Sequence, residues 1–395
     1  MSLSESGSRP AWASRRVLTA GTAAVAVAAA AVTGVAIATH SASGHPGASH
    51  ARLAASACTG PTGAAYIALP GFQAFDAVNT ANCDLIQQYN VGDRDVPGTG
   101  TSDTNFDSSD EGIAMSGSTL YFANTGNNTV AVMDSAALQV SNFDNPAETL
   151  INVGQDPEYV AVTPDGSQVW VADTGPQSGV PTLGAISIIS TATNTVTATI
   201  QLPSVDPRQI AFAPSGATAY VTTRAGVDVI STRSRRVSTV IPGGNPNGIA
   251  ISPDGKTVYV TNDVQNVVDV IKTANNKITG RIKVGELPWA LTLSSDGSTL
   301  YSANGDSDSI SVINTAAGTV TGTMSDPGDP VSLALTPDGS ELWVGGLTSG
   351  VVTVFKTSDK SLVGSFNVGF GGEANAGDGE EPTGIVTTTT PTPGS

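Results

Sequence analysis

Residues Pro246–Gly285, PNGIAISPDGKTVYVTNDVQNVVDVIKTANNKITGRIKVG, read as four short β-rich runs in succession. Gly248–Ser252 and Thr257–Thr261 flank Pro253-Asp254-Gly255, and Val267–Ile271 and Lys277–Val284 flank Ala274-Asn275-Asn276. Gly, Asn and Asp tolerate positive φ, so both triplets suit tight reversals. The runs between them are rich in β-branched residues, which fit a pleated, half-buried surface. The expected product is a four-stranded antiparallel meander. Alone it cannot cover its own two faces.

The unit recurs. Its opening returns as Pro157-Glu158-Tyr159-Val160-Ala161, Pro207-Arg208-Gln209-Ile210-Ala211, Pro288-Trp289-Ala290-Leu291-Thr292 and Pro330-Val331-Ser332-Leu333-Ala334, with Asp110-Glu111-Gly112-Ile113-Ala114 as an earlier variant. Its turn returns as Pro164-Asp165-Gly166, Ser295-Asp296-Gly297 and Pro337-Asp338-Gly339, and in degenerate form as Pro214-Ser215-Gly216. A period of roughly 40–50 residues with four strands in each copy is the signature of propeller blades, which bury their faces against one another.

The string Tyr259-Val260-Thr261-Asn262, with the repeated P-x-x-[IVL]-A and DG pattern, resembles the YVTN-type β-propeller repeat family of surface-layer and other exported proteins. The resemblance spans about residues 62–388. It implies an exported propeller and leaves the activity open, because propellers host lyases, lactonases, quinoprotein dehydrogenases and pure binding modules alike.

The chain has 395 residues, of which 39% are hydrophobic, enough for one large core, and a net charge of −17 that argues against nucleic acid or an anionic membrane as partner. Residues 1–38 read as an export signal, with Arg15-Arg16 ahead of the Ala/Val-rich run Val17–Ala38. The paired arginines resemble a twin-arginine signal, although Leu18 replaces the usual Phe; an ordinary secretory signal fits equally. An uncleaved segment would tether the protein to the membrane, whereas cleavage would release it. Residues 39–61 read as a flexible leader, 62–388 as the propeller and 389–395 as a disordered tail.

From Ala64 the repeat starts in mid-blade: Tyr66 aligns with Tyr259, Asp76 with Asp269 and Gly92 with Gly285. This segment supplies three strands and lacks the innermost one. Pro382-Thr383-Gly384-Ile385-Val386-Thr387-Thr388 has the missing strand's pattern with no DG turn after it. The expected fold is therefore an all-β, seven-bladed β-propeller, closed by one C-terminal and three N-terminal strands, and monomeric.

The propeller region contains no His, which removes His-based nucleophilic pairs, haem ligation by His and His-based zinc sites. Carboxylates, hydroxyls and backbone remain. Asp110, Glu111, Asp156, Glu158, Asp206, Asp329 and Glu381 flank the starts of innermost strands, where Arg208, Asn247 and Trp289 also fall; together they mark the expected mouth of the central channel. Asp173, Asp263, Asp306 and Asp308 fall in loops further out. Hard oxygen ligands favour calcium, held either by Asp156, Asp206 and Asp329 or by the loop residues Asp103, Asn105 and Asp107. That loop departs from the EF-hand pattern at Ser108 and Ala114, and solvated turn residues are the competing reading. Trp289 suits stacking on a sugar or plugging the channel, while Trp170 and Trp343 suit packing between blades. Arg233, Arg235 and Arg236 form a basic turn, either solvated or a docking patch for an anionic wall polymer. The functional expectation is a non-enzymatic module that binds a protein or glycan at the cell surface. Its rivals are a cation-dependent hydrolase or lactonase and a carbohydrate-binding propeller of the wall.

Cys58 and Cys83 are the two cysteines, both at the bottom of the incomplete blade, and in an exported protein an even count reads as a disulfide. The bond would close a loop of about 25 residues, worth about 3 kcal/mol on the chain-entropy estimate. Non-reducing peptide mass spectrometry of exported protein should recover the two in one linked pair. Two alkylatable thiols in native material would refute the bond.

Overall fold

The computed structural model describes residues 64–69, 74–80, 85–90, 112–135, 149–175, 182–347, 350–368 and 384–388. In the organising unit the strands are Ile249–Ile251, Thr257–Asn262, Val267–Lys272 and Lys277–Lys283, paired antiparallel in sequence order. Seven such four-stranded sheets are present, and no α-helix occurs among the described residues. Blades 1 to 6 begin with inner strands Ile113–Ser116, Pro157–Val162, Pro207–Phe212, Ile249–Ile251, Pro288–Leu293 and Pro330–Leu335. In the seventh sheet Gly384–Thr388 pairs with Ala64–Leu69, which is followed outward by Ala74–Asn79 and Leu85–Asn90. The inner strands touch one another in cyclic order, with Gly384–Thr388 against both Pro330–Leu335 and Ile113–Ser116.

The core is not inside any blade. It is divided into seven clusters, and each lies between two consecutive sheets. Each contains one buried aromatic from the third position of a second strand: Tyr66, Tyr121, Trp170, Tyr220, Tyr259, Tyr301 and Trp343. These are the Tyr of Tyr-Val-Thr-Asn and its counterparts. Because strand side chains alternate, residues on either side of the aromatic serve the opposite seam. Ala64, Tyr66 and Ala68 pack toward blade 1, whereas Ala65 and Ile67 pack toward blade 6. Trp170 and Trp343 fill seams as packing residues: Trp170 meets Phe212 of the next blade edge-on at 5.2 Å between ring centroids. Its Nε1 donates to Gln168 Oε1 at 3.1 Å, so its burial leaves no orphan donor.

The DG turns are built by hydroxyls. Ser252 Oγ donates to Asp254 Oδ1 at 2.6 Å, as does the backbone N–H of Lys256 at 3.0 Å, and Gly255 takes the left-handed conformation with φ 68°. Thr163, Ser294 and Thr336 act in the same way on Asp165, Asp296 and Asp338. A threonine beyond the third strand then ties the turn down: Thr273 Oγ1 donates to the Gly255 carbonyl at 2.9 Å. Thr191, Thr232, Thr315 and Thr357 repeat this bond in other blades.

At the opposite end of the sheets, Gly285 lies so close to the next blade that an added Cβ would sit 2.2 Å from Ser307 Oγ. A glycine there lets the fourth strand's exit pass directly against its neighbour.

The seventh sheet makes the C-terminal strand a structural element rather than an appendage. Ile385 packs on the seam holding Trp343 and Val386 on the seam holding Tyr66, while Thr387 Oγ1 donates to the Leu335 carbonyl at 2.6 Å. Both aliphatic side chains are half-buried, so their loss removes about 3 kcal/mol of apolar burial before the severed backbone pairing is counted. Ending the chain at Glu381 should lower the melting temperature sharply, whereas removing only residues 391–395 should leave it unchanged. Equal melting temperatures for the two truncations would contradict a structural role for this strand.

Candidate functional site

The inner strands open with a repeated backbone device. Asp156, Asp206, Leu287 and Asp329 precede the prolines that start inner strands and all are left-handed, with φ of 58°, 59°, 51° and 58°; Asn245, before Pro246, has φ 52°. Asp and Asn are the side-chain-bearing residues that adopt this conformation most readily, which explains their recurrence without any ligand. Three of these positions are latched to the preceding blade. Asn128 Oδ1 accepts the Asp156 N–H at 2.8 Å, Asn266 Oδ1 that of Leu287 at 3.1 Å, and Asp308 Oδ1 that of Asp329 at 3.2 Å.

Immediately after the proline the pairing with the second strand is irregular in blades 2, 3, 5 and 6. Such irregularities re-aim side chains at the end of a sheet. The residue following the proline is Glu158, Arg208, Asn247, Trp289 and Val331 in successive blades, and the next is Tyr159, Gln209, Gly248, Ala290 and Ser332, whereas the proline and the aliphatic residue on either side of this pair repeat. Four of the residues expected at the channel mouth therefore share one repeat position. Glu158 and Asn247 are buried there, at 6% and 3% exposure, and Trp289 is half-buried. The Arg208 side chain is 15% exposed; its guanidinium donates to Asp206 Oδ2 at 3.1 Å and to the Pro246 carbonyl at 3.3 Å. Arg224 Nε reaches the same Asp206 oxygen at 3.1 Å.

These bonds occupy the Asp206 carboxylate with two guanidinium groups. Among the described residues no three Asp, Glu, His or Cys side chains converge on a point that could hold a metal ion. Asp156, Asp206 and Asp329 belong to three different blades. Asp103, Asn105, Asp107, Asp110, Glu111, Glu381, Cys58 and Cys83 lie outside the described residues.

A second set of acids is buried in the seams. Asp173, expected in an outer loop, instead ends the second strand of blade 2 at 2% exposure. Ser187 Oγ donates to its Oδ2 at 2.7 Å, and its Oδ1 has no hydrogen-bond partner. Burial outweighs these bonds and pushes its pKa up to about 7. Asp228 is fully buried, accepts from Ser204 of the preceding blade at 2.8 Å and is likewise raised by burial. Asp326, bonded by the Gly328 N–H at 3.1 Å, is raised for the same reason. Asp263 is also raised by burial, against a 2.7 Å bond from Asn245 Nδ2. Asp269 stands where Asp228 does in the repeat, but Arg281 Nε at 2.9 Å and Asn262 Nδ2 at 2.9 Å occupy both of its oxygens. The signal for Asp228 and Asp269 lay in the sequence: each is an Asp inside an aliphatic strand, Val227-Asp228-Val229-Ile230 and Val268-Asp269-Val270-Ile271.

With the ring and its mouth described, relatives can be compared. The family model described as "Lactonase, 7-bladed beta-propeller" matches residues 152–326 and 237–368, together more than half of the chain. The chain belongs to that family. No curated protein matches it. Among solved structures, it is similar to a functionally unknown protein from Desulfotomaculum acetoxidans (TM-score 0.63, 17% identity, 82% of this chain and 98% of that one). It is also similar to Kuenenia stuttgartiensis hydrazine synthase (TM-score 0.57, 22% identity, 69% and 87%). A third is the dihydro-heme d1 dehydrogenase NirN in complex with DHE (TM-score 0.56, 15% identity, 86% and 77%). At these identities the likeness is one of fold alone.

The pH dependence of the seam follows from Asp173. A carboxyl whose folded pKa is raised from 3.8 to about 7 adds stability that is complete below about pH 3.8 and is lost as the pH climbs through about 7. Asp173→Asn should remove this component. Between pH 5 and pH 8 the wild type should lose about 3 kcal/mol of unfolding free energy relative to the variant, by denaturant titration. Parallel pH profiles would mean that Asp173 does not titrate in this range.

Proposed function

We propose that this propeller is a non-enzymatic binding module, exported and acting at the cell surface, with its ligand meeting the mouth of the central channel. One observation carries the reading. The two positions after the inner-strand proline change chemistry from blade to blade, Glu158-Tyr159, Arg208-Gln209, Asn247-Gly248, Trp289-Ala290 and Val331-Ser332, while the proline before them and the aliphatic residue after them repeat. Repetition serves packing; positions released from it around one axis suit recognition of an asymmetric ligand. Arg208 and Trp289 are the two members that keep accessible surface and offer a forked donor and an aromatic face. A surface glycan fits that pair, through stacking on Trp289 and hydrogen bonds to Arg208.

The second reading is a lactonase or other hydrolase, supported by membership of a family described by that activity. It would require a divalent cation, most simply calcium, held by carboxylates at the same end of the ring, to do the work that His performs elsewhere. One purified sample separates the two. The binding reading expects signal on a glycan microarray that falls at least tenfold in Trp289→Ala or Arg208→Ala. It also expects no ring opening of sugar-acid lactones above background, with or without calcium. Chelator-sensitive lactone hydrolysis by the wild type would overturn it in favour of the enzyme. A blank array together with no hydrolysis would remove the glycan as ligand and the mouth as its site.

A further inference from the structure

The turn between the third and fourth strands of blade 3 is the most basic of its kind among the described residues. In every blade where this turn is described in full and closes the same way, one residue is left-handed. Blades 2, 4 and 5 use Asn194, Asn276 and Gly318, with φ of 50°, 53° and 64°, residues that enter this region easily, and blade 6 uses Lys360, with φ 64°. Blade 3 uses Arg235 at φ 54°, flanked by Arg233 and Arg236. All three arginines are exposed, and the ion pairs among the described residues leave them out. Three of the chain's 17 basic residues thus crowd one turn of a protein with 34 acidic ones.

The turn opens onto a groove of about 650 Å³ between the fourth strands of blades 2 and 3, Thr195–Val205 and Arg236–Pro242. Thr199, Gln201 and Pro203 line one side, with Arg235, Arg236 and Val240 on the other. Each strand is the last of its sheet, so one backbone edge is uncovered. The blade 2 strand runs for 11 residues, against 7 in the fourth strands of blades 3, 4 and 5. Pro203 and Pro242 block pairing at the far end, which leaves the half next to the arginines available.

We propose that this groove docks an acidic polypeptide in extended conformation, adding to a free strand edge while its carboxylates meet Arg233, Arg235 and Arg236. The charge is complementary, and the uncovered edges favour a polypeptide over other polyanions, which would use the arginines and leave the backbone groups idle. The net charge of −17 does not forbid this. At physiological ionic strength the screening length is about 8 Å, so the partner senses the local arginines more than the distant acids.

The test uses fluorescence anisotropy on the full chain with a labelled ten-residue peptide alternating Glu and Thr. Binding should weaken at least tenfold in R233S/R235S/R236S and comparably in R233S/R236S, which leaves the left-handed position intact. It should be unchanged in Lys256→Ser, a basic residue on another turn, and in Arg208→Ala, so the outcome is independent of the channel mouth. A peptide with Gln for Glu, and one N-methylated on alternate backbone nitrogens, should each bind at least tenfold more weakly. No binding of the acidic peptide, or undiminished binding by the triple variant, would overturn the proposal. So would equal binding of the N-methylated peptide, or full displacement by inorganic polyphosphate with no dependence on the peptide backbone; either would leave a general anion patch instead.

Discussion

Everything in this molecule depends on the seam between blades. A four-stranded meander has two faces and no interior, so burial of the second-strand aromatic requires the next sheet. The seven aromatics, one in each seam, make the ring a closed chain of equivalent contacts in which no sheet is dispensable. Desolvation raises the pKa of the five tyrosines in this set, which keeps the hydroxyls neutral; that of Tyr259 shares a hydrogen bond with Thr315 of the following blade. The aromatic therefore joins blades through its ring and, in that case, through its hydroxyl too.

The seams are not uniformly apolar. Toward the end where the inner strands begin, aliphatic packing gives way to Asp173 with Ser187, Asp228 with Ser204, and Asn262 with Asp269. The Asp228 pair crosses from blade 2 to blade 3 and fixes their register, because a shifted blade would leave a buried carboxylate without its donor, while the other two pairs hold neighbouring strands within one sheet. They also set the geometry of the mouth: the left-handed Asp and Asn residues, the latches from Asn128, Asn266 and Asp308, and the irregular pairing after each proline follow within a few residues. The variable residue at the mouth is thus carried on backbone that is held from both sides.

Most of the fold was legible because its determinants are local and repeated. The DG turn recurs in four blades, and the alternating strands and the aromatic at the Tyr of Tyr-Val-Thr-Asn state a requirement that seven copies reinforce. The mouth was legible as a position but not as an environment. Sequence marked Glu158 and Asn247 as members of the ring, yet their burial depends on how neighbouring blades close over them. Asp206 read as a metal ligand because repeat symmetry aims acids at one axis; its partner Arg224 lies 18 residues away, across the sheet, and nothing local announces that pairing. Asp173 read as a loop residue because the strand before it was taken to stop earlier. In the structure the strand runs through Asp173 and carries it into the seam.

The acidic balance of the chain resolves into populations with opposite chemistry. In the DG turns, hydrogen bonds from a hydroxyl and a backbone N–H hold Asp254 and Asp296 down to about 2, so their ionised form is part of the turn and is lost only as the pH falls toward that value. In the seams, burial raises Asp173, Asp228 and Asp326, and there the neutral form is the one the fold favours. At the mouth, Asp206 pairs with two arginines. A net charge of −17 therefore does not describe one field steering one ligand. The turn acids belong to the backbone and the seam acids to packing within and between blades. The residues around Arg208 and Trp289, and the concentration of three arginines in the blade 3 turn, have no equivalent in the other blades, and recognition has to be sought at those departures.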